Sequence, residues 1–302
     1  MSLSRHSYRV LLSAHLLATT AIVAVHAEPA PGTGGEDKAL EIPGGDIFGF
    51  TSPTDVGSPG DRGIAFELSS RAGKREGSYV SPTLKTQFGY TLAENLAVAF
   101  SPWITAHRIR GVPDIDDRTR VDFDGVSGEI SYRFVERTAT NPFAATLSTE
   151  PRFARVDALT GERVSAYGNE FKLFMDTVIV PDRLYGAVNL NYAFATQKGS
   201  DDKWADGSGT NVSGALTYQL TEKVFAGLEG RYLTAFSGAF LNHLSGQAVF
   251  AGPTLLVKLS DSAALNFVWT PQVAGRAEDT RGALDLDNFE RHQFRAKLSA
   301  SF

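Results

Sequence analysis

The last residues of the chain alternate between apolar and polar side chains without a break. From position 292 to 302, one parity reads His, Phe, Ala, Leu, Ala, Phe and the other reads Gln, Arg, Lys, Ser, Ser. Period-two alternation is typical of a β-strand with one apolar face and one hydrated face. The chain must therefore form a strand that separates an apolar environment from a hydrated one.

The same alternation recurs from about residue 62 onward, in twelve segments joined by connections of two kinds. The short connections are 93–95, 180–183, 221–223 and 260–262, and the long ones are 111–120, 156–166, 198–209, 237–246 and 276–288. Short turns at one rim and long loops at the other are typical of bacterial outer-membrane barrels. The connections 72–77 and 135–141 depart from this sorting, so ten or fourteen strands are alternatives to twelve.

The N-terminal residues 1–27 have the pattern of a signal peptide. Arg5 and Arg9 precede the mostly apolar run 10–25, and Ala27 ends a small-residue cleavage motif. An N-terminal membrane anchor is the alternative, which the run disfavours because a spanning helix needs roughly 20 apolar residues. Residues 28–60 follow as a Pro/Gly-rich periplasmic leader. Its apolar stretch 47–50 is expected to pack at or inside the barrel mouth, and 61–302 is the barrel domain.

These observations predict an all-β fold, an antiparallel up-and-down transmembrane β-barrel of about twelve strands. An exported chain without a second long apolar run can cross a bilayer only as a closed barrel, which pairs all its backbone groups. An even strand number places both termini on one side, here the periplasmic side of the bacterial outer membrane. A secreted β-sandwich is the alternative. Aromatic residues at both ends of the strands favour the barrel, since such girdles lie at the headgroups of a bilayer.

Composition narrows the chemistry. The sequence contains no cysteine, which excludes disulfides and thiolate metal sites, and it predicts no metal and no cofactor. With 29 basic and 34 acidic residues the formal net charge is −5, which disfavours nucleic acid as a partner.

Four stretches carry a family resemblance: Asp-Ile-Phe-Gly-Phe-Thr at 46–51, Pro-Gly-Asp-Arg-Gly at 59–63, the run 125–133 and the closing run 288–302. Through them the chain resembles a family of uncharacterised proteobacterial outer-membrane β-barrel proteins. The resemblance implies the fold and the location, and it transfers no substrate and no active residue. C-terminal Phe302 on an alternating strand also resembles the signal that the barrel-assembly machinery reads, which makes that machinery an expected partner during biogenesis.

The inward parity of the strands decides the function, because it carries charges of both signs. The predicted pore-lining residues are Lys85, Glu129, Arg133, Glu150, Arg152, Glu170, Lys172, Asp176, Glu229, Arg231, Lys258, Arg291, Arg295 and Lys297. In a water-filled lumen such charges select and orient solutes. The row of three cations on the last strand faces one acid, Glu67, across the closing seam, which favours anionic solutes such as carboxylates. We therefore expect a channel for small polar solutes.

Two other functions stay open. Lumen salt bridges that close the barrel would make it a non-conducting structural or ligand-binding protein, with outer-membrane lipid and lipopolysaccharide as partners. Acid-rich loops such as the one with Asp114, Asp116 and Asp117 would then hold divalent ions that bridge lipopolysaccharide, although a solvated loop is the simpler interpretation. An outer-membrane hydrolase is the third alternative. His107 has inward parity near a strand end, but no hydrolase motif surrounds it, so no catalytic residue is predicted.

Overall fold

The computed structural model describes residues 40, 42–43, 46–200, 202–278 and 280–302. The predicted signal peptide, 1–27, and most of the 28–45 stretch of the predicted leader lie outside the described residues. No helix within the described ranges is long and apolar enough to cross a membrane.

Twelve β-strands follow one another along the described chain. They are β1 (Arg62–Ala72), β2 (Ser78–Ala93), β3 (Leu96–Arg110), β4 (Arg118–Val135), β5 (Phe143–Val156), β6 (Arg163–Val180), β7 (Leu184–Lys198), β8 (Trp204–Gln219), β9 (Val224–Ser237), β10 (His243–Lys258), β11 (Ala263–Ala277) and β12 (His292–Ser301). Each strand pairs antiparallel with the next, and β1 pairs with β12, so the sheet is a closed barrel. The prediction of a twelve-stranded up-and-down barrel is confirmed, and the β-sandwich alternative is wrong.

The two ends of the barrel wall meet at one rim. The backbone amide of Phe302 donates to the carbonyl of Arg62 at 3.0 Å, where β12 ends beside the start of β1. We call this end the terminal rim and the opposite end the loop rim. The expectation that the terminal rim faces the periplasm stays a prediction.

Side chains sort by strand parity as the sequence predicted. On β1, for example, Phe66 and Leu68 are 44% and 50% exposed on the outer face, whereas Glu67 between them is 4% exposed inside. The outer face is thus an apolar band suited to hydrocarbon, and the inner face is mainly polar.

Several strands extend further toward the loop rim than the sequence predicted. The 198–209 connection was expected to be a loop, yet β8 begins at Trp204, which pairs with Lys198 of β7. Strands β4, β6 and β10 also begin inside predicted loops. Beyond the bilayer both faces of a hairpin are hydrated, so the alternation fades although backbone pairing continues.

Candidate functional site: the barrel interior

The terminal half of the lumen is occupied by residues 46–57, which precede β1 and which we call the inner segment. Every residue of the inner segment is buried. Its contacts pass around the wall in strand order, from β12 down to β2. Wall residues that it touches in that order are Lys297, Asn266, Glu229, Ser213, Asp176, Thr146, Arg133 and Thr91. The expectation that 47–50 packs inside the barrel mouth is confirmed, and the buried stretch is longer than expected.

An apolar contact anchors the start of the inner segment. Ile47 and Phe48 are 1% and 0% exposed and pack in one cluster with wall residues such as Tyr185, Phe225 and Leu256. Burying a side chain of this size contributes roughly 1.5–3 kcal/mol. These wall residues have inward parity, so the polar lumen contains an apolar patch where the segment docks.

A carboxylate of β9 binds the backbone of the inner segment. Glu229 accepts hydrogen bonds from the amides of Phe50 at 2.9 Å and Thr51 at 2.5 Å. Two successive amides around an anion form the concave arrangement called a nest. Gly49 enables this approach, because its φ is +84° and an added Cβ would lie 2.7 Å from Glu229 Oε2. The Gly-Phe-Thr part of the 46–51 motif is therefore explained by its role in binding the Glu229 carboxylate.

The cations of β12 are covered by the inner segment. Asp46 Oδ2 accepts from Lys297 Nζ at 2.8 Å and from Arg295 Nη2 at 3.2 Å. The guanidinium of Arg295 also donates to the carbonyl of Gly49. The ring of Phe50 lies under Arg231, whose Cζ is 3.8 Å from the ring centroid. Two cations of the predicted strip, Arg295 and Lys297, are thus neutralised in this structure and not open to a solute.

The far end of the inner segment is fastened from the terminal rim. Arg137, in the connection after β4, donates to Asp55 at 2.7 Å and also to Asp176 of β6. Its Nε donates to the carbonyl of Leu40 at 3.1 Å. Burial opposes the charge of Arg137, but Asp55 and Asp176 outweigh it and raise the pKa of the guanidinium. The unusual length of the 135–141 connection is explained by this reach across the mouth.

A network of ion pairs joins strands β2, β4, β5 and β6 at mid-height on the inner face of the barrel. Lys172 Nζ lies 2.5 Å from Glu150 and 3.1 Å from Glu129, and Lys85 Nζ lies 2.9 Å from the other oxygen of Glu150. Arg152 lies 3.6 Å from Glu170. All are buried or nearly so. In this state the charges pair with one another along this side of the lumen, as the salt-bridge alternative expected.

A turn of the β5–β6 connection folds into the loop rim. The carbonyl of Ala158 lies 2.7 Å from Arg71 Nη2, 3.1 Å from the Tyr79 hydroxyl and 3.0 Å from His107 Nε2. Leu159 beside it is 1% exposed. His107, the residue that the hydrolase alternative relied on, is thus engaged with a loop carbonyl.

The β11–β12 connection covers the same rim. Lys74 Nζ donates to the carbonyl of Phe289 at 2.9 Å, and Gln272 donates to the carbonyl of Asp285 at 2.9 Å. Burial lowers the pKa of Lys74, with Glu290 opposing the shift. Burial raises the pKa of Asp285, against hydrogen bonds from Asn288.

The predicted lumen residues fall into groups. The middle network contains Lys85, Glu129, Glu150, Arg152, Glu170 and Lys172, and the inner segment is surrounded by Arg133, Asp176, Glu229, Arg231, Arg295 and Lys297. Lys258 lies near the terminal rim, 5.7 Å from the ring centroid of Phe225. Arg291 precedes β12 and its side chain is exposed. C-terminal Phe302, the predicted assembly signal, is 77% exposed.

Sequence reasoning missed Asp46, Asp55 and Arg137, which hold the inner segment in place. A usable signal was the large apolar side chains at inward parity, such as Phe225 and Leu256, since a hydrated lumen gives them no partner. Arg137 carried no signal, because loop residues have no parity.

Comparison with known proteins places the fold. The family model described as "Family of unknown function (DUF6662)" matches residues 41–302. No curated protein matches the sequence. The COG4313 outer membrane channel from Pseudomonas putida F1 is similar in structure, with a TM-score of 0.54, 12% identity, and coverage of 87% of this chain and 100% of that one. The NanC porin has a TM-score of 0.48 and 12% identity, over 78% of this chain and 98% of that one. The architecture is that of outer-membrane barrels.

Proposed function

Since the chain belongs to a family of unknown function, DUF6662, its activity has to be argued from the lumen, and we propose that it is a channel for small polar solutes, anions among them. It would act in the outer membrane of a Gram-negative bacterium, after export by its signal peptide and insertion by the barrel-assembly machinery. Outer-membrane lipid and lipopolysaccharide would surround it, with both termini in the periplasm.

The observation that carries the proposal is how the lumen is filled. Strands build the wall, whereas the terminal half of the interior is filled by the inner segment, which belongs to none of the strands. Side-chain contacts and an apolar patch hold it, so it can leave without breaking the hydrogen-bond ladder of the barrel. Behind it the wall carries buried charges and hydroxyls of the kind that line a hydrated route.

Conduction therefore requires the inner segment to move, which a reversible crosslink tests. Thr51 Oγ1 and Ser213 Oγ lie 3.0 Å apart, one on the segment and one on β8. The chain has no cysteine, so Thr51→Cys with Ser213→Cys introduces one defined pair. We expect the oxidised pair to abolish conductance in a planar bilayer and a reductant to restore it.

A second crosslink serves as the control. Thr83 and Thr105 are register partners on β2 and β3, and their hydroxyl oxygens are also 3.0 Å apart. Thr83→Cys with Thr105→Cys joins two wall strands and should leave conductance unchanged under both conditions. A wild-type protein that never conducts, or a Thr51–Ser213 crosslink without effect, contradicts the proposal.

The runner-up is a non-conducting barrel that binds a ligand or has a structural role. The observation that favours it is the layered filling of the lumen by the inner segment, the middle ion pairs and the two inward loops. It predicts solute binding without conductance in every redox state of the crosslinked variant.

A further inference from the structure

We propose that Arg295 and Lys297 form a binding site for the carboxylate of a small hydroxylated solute, and that Asp46 of the inner segment occupies this site in its absence. The inference deepens the proposed function and rests on it for the route by which the solute arrives. Asp46 would thus compete with the solute for these two cations from within the same polypeptide chain.

The charge balance around Asp46 is the first argument. Arg231, Arg295 and Lys297 are each at most 3% exposed, and Glu67 and Glu229 are their buried wall acids. Three cations face two carboxylates, so the wall alone holds one positive charge in excess. Asp46 supplies the missing negative charge, and a departing segment would leave a vacancy for one anion, because an unpaired buried charge is costly.

The fit of Asp46 is incomplete, which is the second argument. Its Oδ2 accepts from both Lys297 and Arg295, whereas its buried Oδ1 has no hydrogen-bond partner within the part of the chain that the structure describes. The Nε and Nη1 atoms of Arg295 also lack hydrogen-bond partners among the described residues, although Nη1 lies 3.7 Å from Glu67. A guanidinium binds a carboxylate best through two parallel hydrogen bonds. Asp46, fixed by the neighbouring backbone, does not make that pair, and a free carboxylate can.

The surroundings indicate hydroxyl groups on the solute. Asn266 Nδ2 donates to the carbonyl of Asp46 at 2.9 Å, and Glu229 accepts from the segment at three points. When the segment leaves, an amide donor and a carboxylate acceptor become available beside the cations. A polyhydroxy carboxylate would satisfy both, so the class of ligand is a sugar acid rather than a fatty acid.

Removing the competitor tests the site. Asp46→Asn retains the shape of the side chain and removes its charge, so D-gluconate should bind the detergent-folded protein about tenfold more tightly, a free-energy gain of about 1.4 kcal/mol. Isothermal titration calorimetry measures this affinity. D-glucose, which has similar hydroxyls and no carboxylate, should not gain.

Two further variants distinguish binding at Arg295 and Lys297 from an affinity gain that comes from looser packing of the inner segment. Asp55→Asn weakens the other end of the segment and leaves Asp46 in place, so its gain in gluconate affinity should be smaller. Adding Lys297→Gln to Asp46→Asn should abolish the gain. The proposal is overturned by equal gains for gluconate and glucose, by equal gains in the two aspartate variants, or by a gain that survives Lys297→Gln.

Failure of this site and failure of the channel are distinguishable. If the wild type conducts small ions and Asp46→Asn leaves gluconate affinity unchanged, the channel stands and the carboxylate site is wrong. If gluconate binds as expected and no variant conducts, the site stands and the channel is wrong.

Discussion

Thr51 and Glu229 are joined by two hydrogen bonds, because the amide and the hydroxyl of Thr51 both lie close to Glu229 Oε1, at 2.5 Å and 2.6 Å. Thr51 lies in the inner segment and Glu229 on β9, so this contact connects the segment to the barrel wall. It depends on the turn at Gly49, which brings the next two amides onto the carboxylate.

Gly49→Ala should detach this part of the segment. The new Cβ would lie 2.6 Å from Thr254 Cγ2 and 2.7 Å from Glu229 Oε2, and the φ of +84° is strained for alanine. Positive φ costs about 1–2 kcal/mol and overpacking about 1–3 kcal/mol more. Hydrogen exchange of the Phe50 and Thr51 amides should therefore accelerate by tenfold or more. Gly60→Ala is the control, since Gly60 has a φ of +94° and an added Cβ there would have no atom within 4 Å. If Gly60→Ala accelerated exchange of the Phe50 amide as much as Gly49→Ala does, the clash at Gly49 would not be the cause.

Arg137→Gln should release the far end of the segment. Asp55 and Asp176 would lose their shared cation, and a buried charge left without its partner costs about 3–5 kcal/mol. Segment opening should become at least about 100-fold more frequent, read as faster exchange of the Thr54 amide, which donates to Asp176. Arg183→Gln changes an exposed arginine at the same rim and should have no effect. Unchanged exchange in the Arg137 variant would show that the arginine does not hold the segment.

Lys172→Met should destabilise the barrel wall itself. The lysine pairs with Glu129 and Glu150 in the buried middle network, and its loss leaves like charges facing one another. We expect a loss of about 3–5 kcal/mol in the free energy of unfolding, measured by urea titration of the folded protein in vesicles. Lys223→Met, in an exposed turn, is the matched change and should cost little. A loss below 1 kcal/mol would mean that the network contributes specificity rather than stability.

The β11–β12 connection should dock more firmly as the pH falls. Burial raises the pKa of Asp285 above its ordinary value of 3.8, so the docked loop binds a proton more readily than the free loop. Docking therefore strengthens as the pH falls through the raised pKa toward 3.8, and weakens as the pH rises through the same range. Exchange of the Asn288 amide, corrected for its intrinsic pH dependence, measures this. Asp285→Asn should remove the dependence, whereas Asp261→Asn at the other rim should preserve it.

The barrel could be predicted from the sequence because a bilayer imposes a parity on every strand. Phe66 faces outward and Glu67 faces the lumen because neighbouring residues of a strand point to opposite faces, and this pattern repeats along the chain. Strand ends were less predictable. At Trp204 the backbone pairs with Lys198, but the residues 204–209 do not alternate between apolar and polar side chains, so no pattern reveals the pairing.

The contents of the lumen were only partly predictable. Arg295 and Lys297 were recognised as inward cations, but their partner Asp46 lies in an irregular segment, where spacing carries no information about position. The contacts of the inner segment join residues far apart in sequence, and only the closed barrel brings them together. Phe225 did carry a signal, because an apolar side chain at inward parity in a polar lumen indicates that another part of the protein covers it.

The order of assembly follows from where the partners of Asp46 are encoded. Lys297 lies 251 positions after Asp46, on β12, which is synthesised after the other eleven strands of the wall. The inner segment leaves the ribosome before the barrel wall, yet its complete docking surface exists only once β12 has closed against β1. A newly inserted barrel should therefore pass through a stage in which its wall is closed and the terminal half of its lumen has not yet received the inner segment.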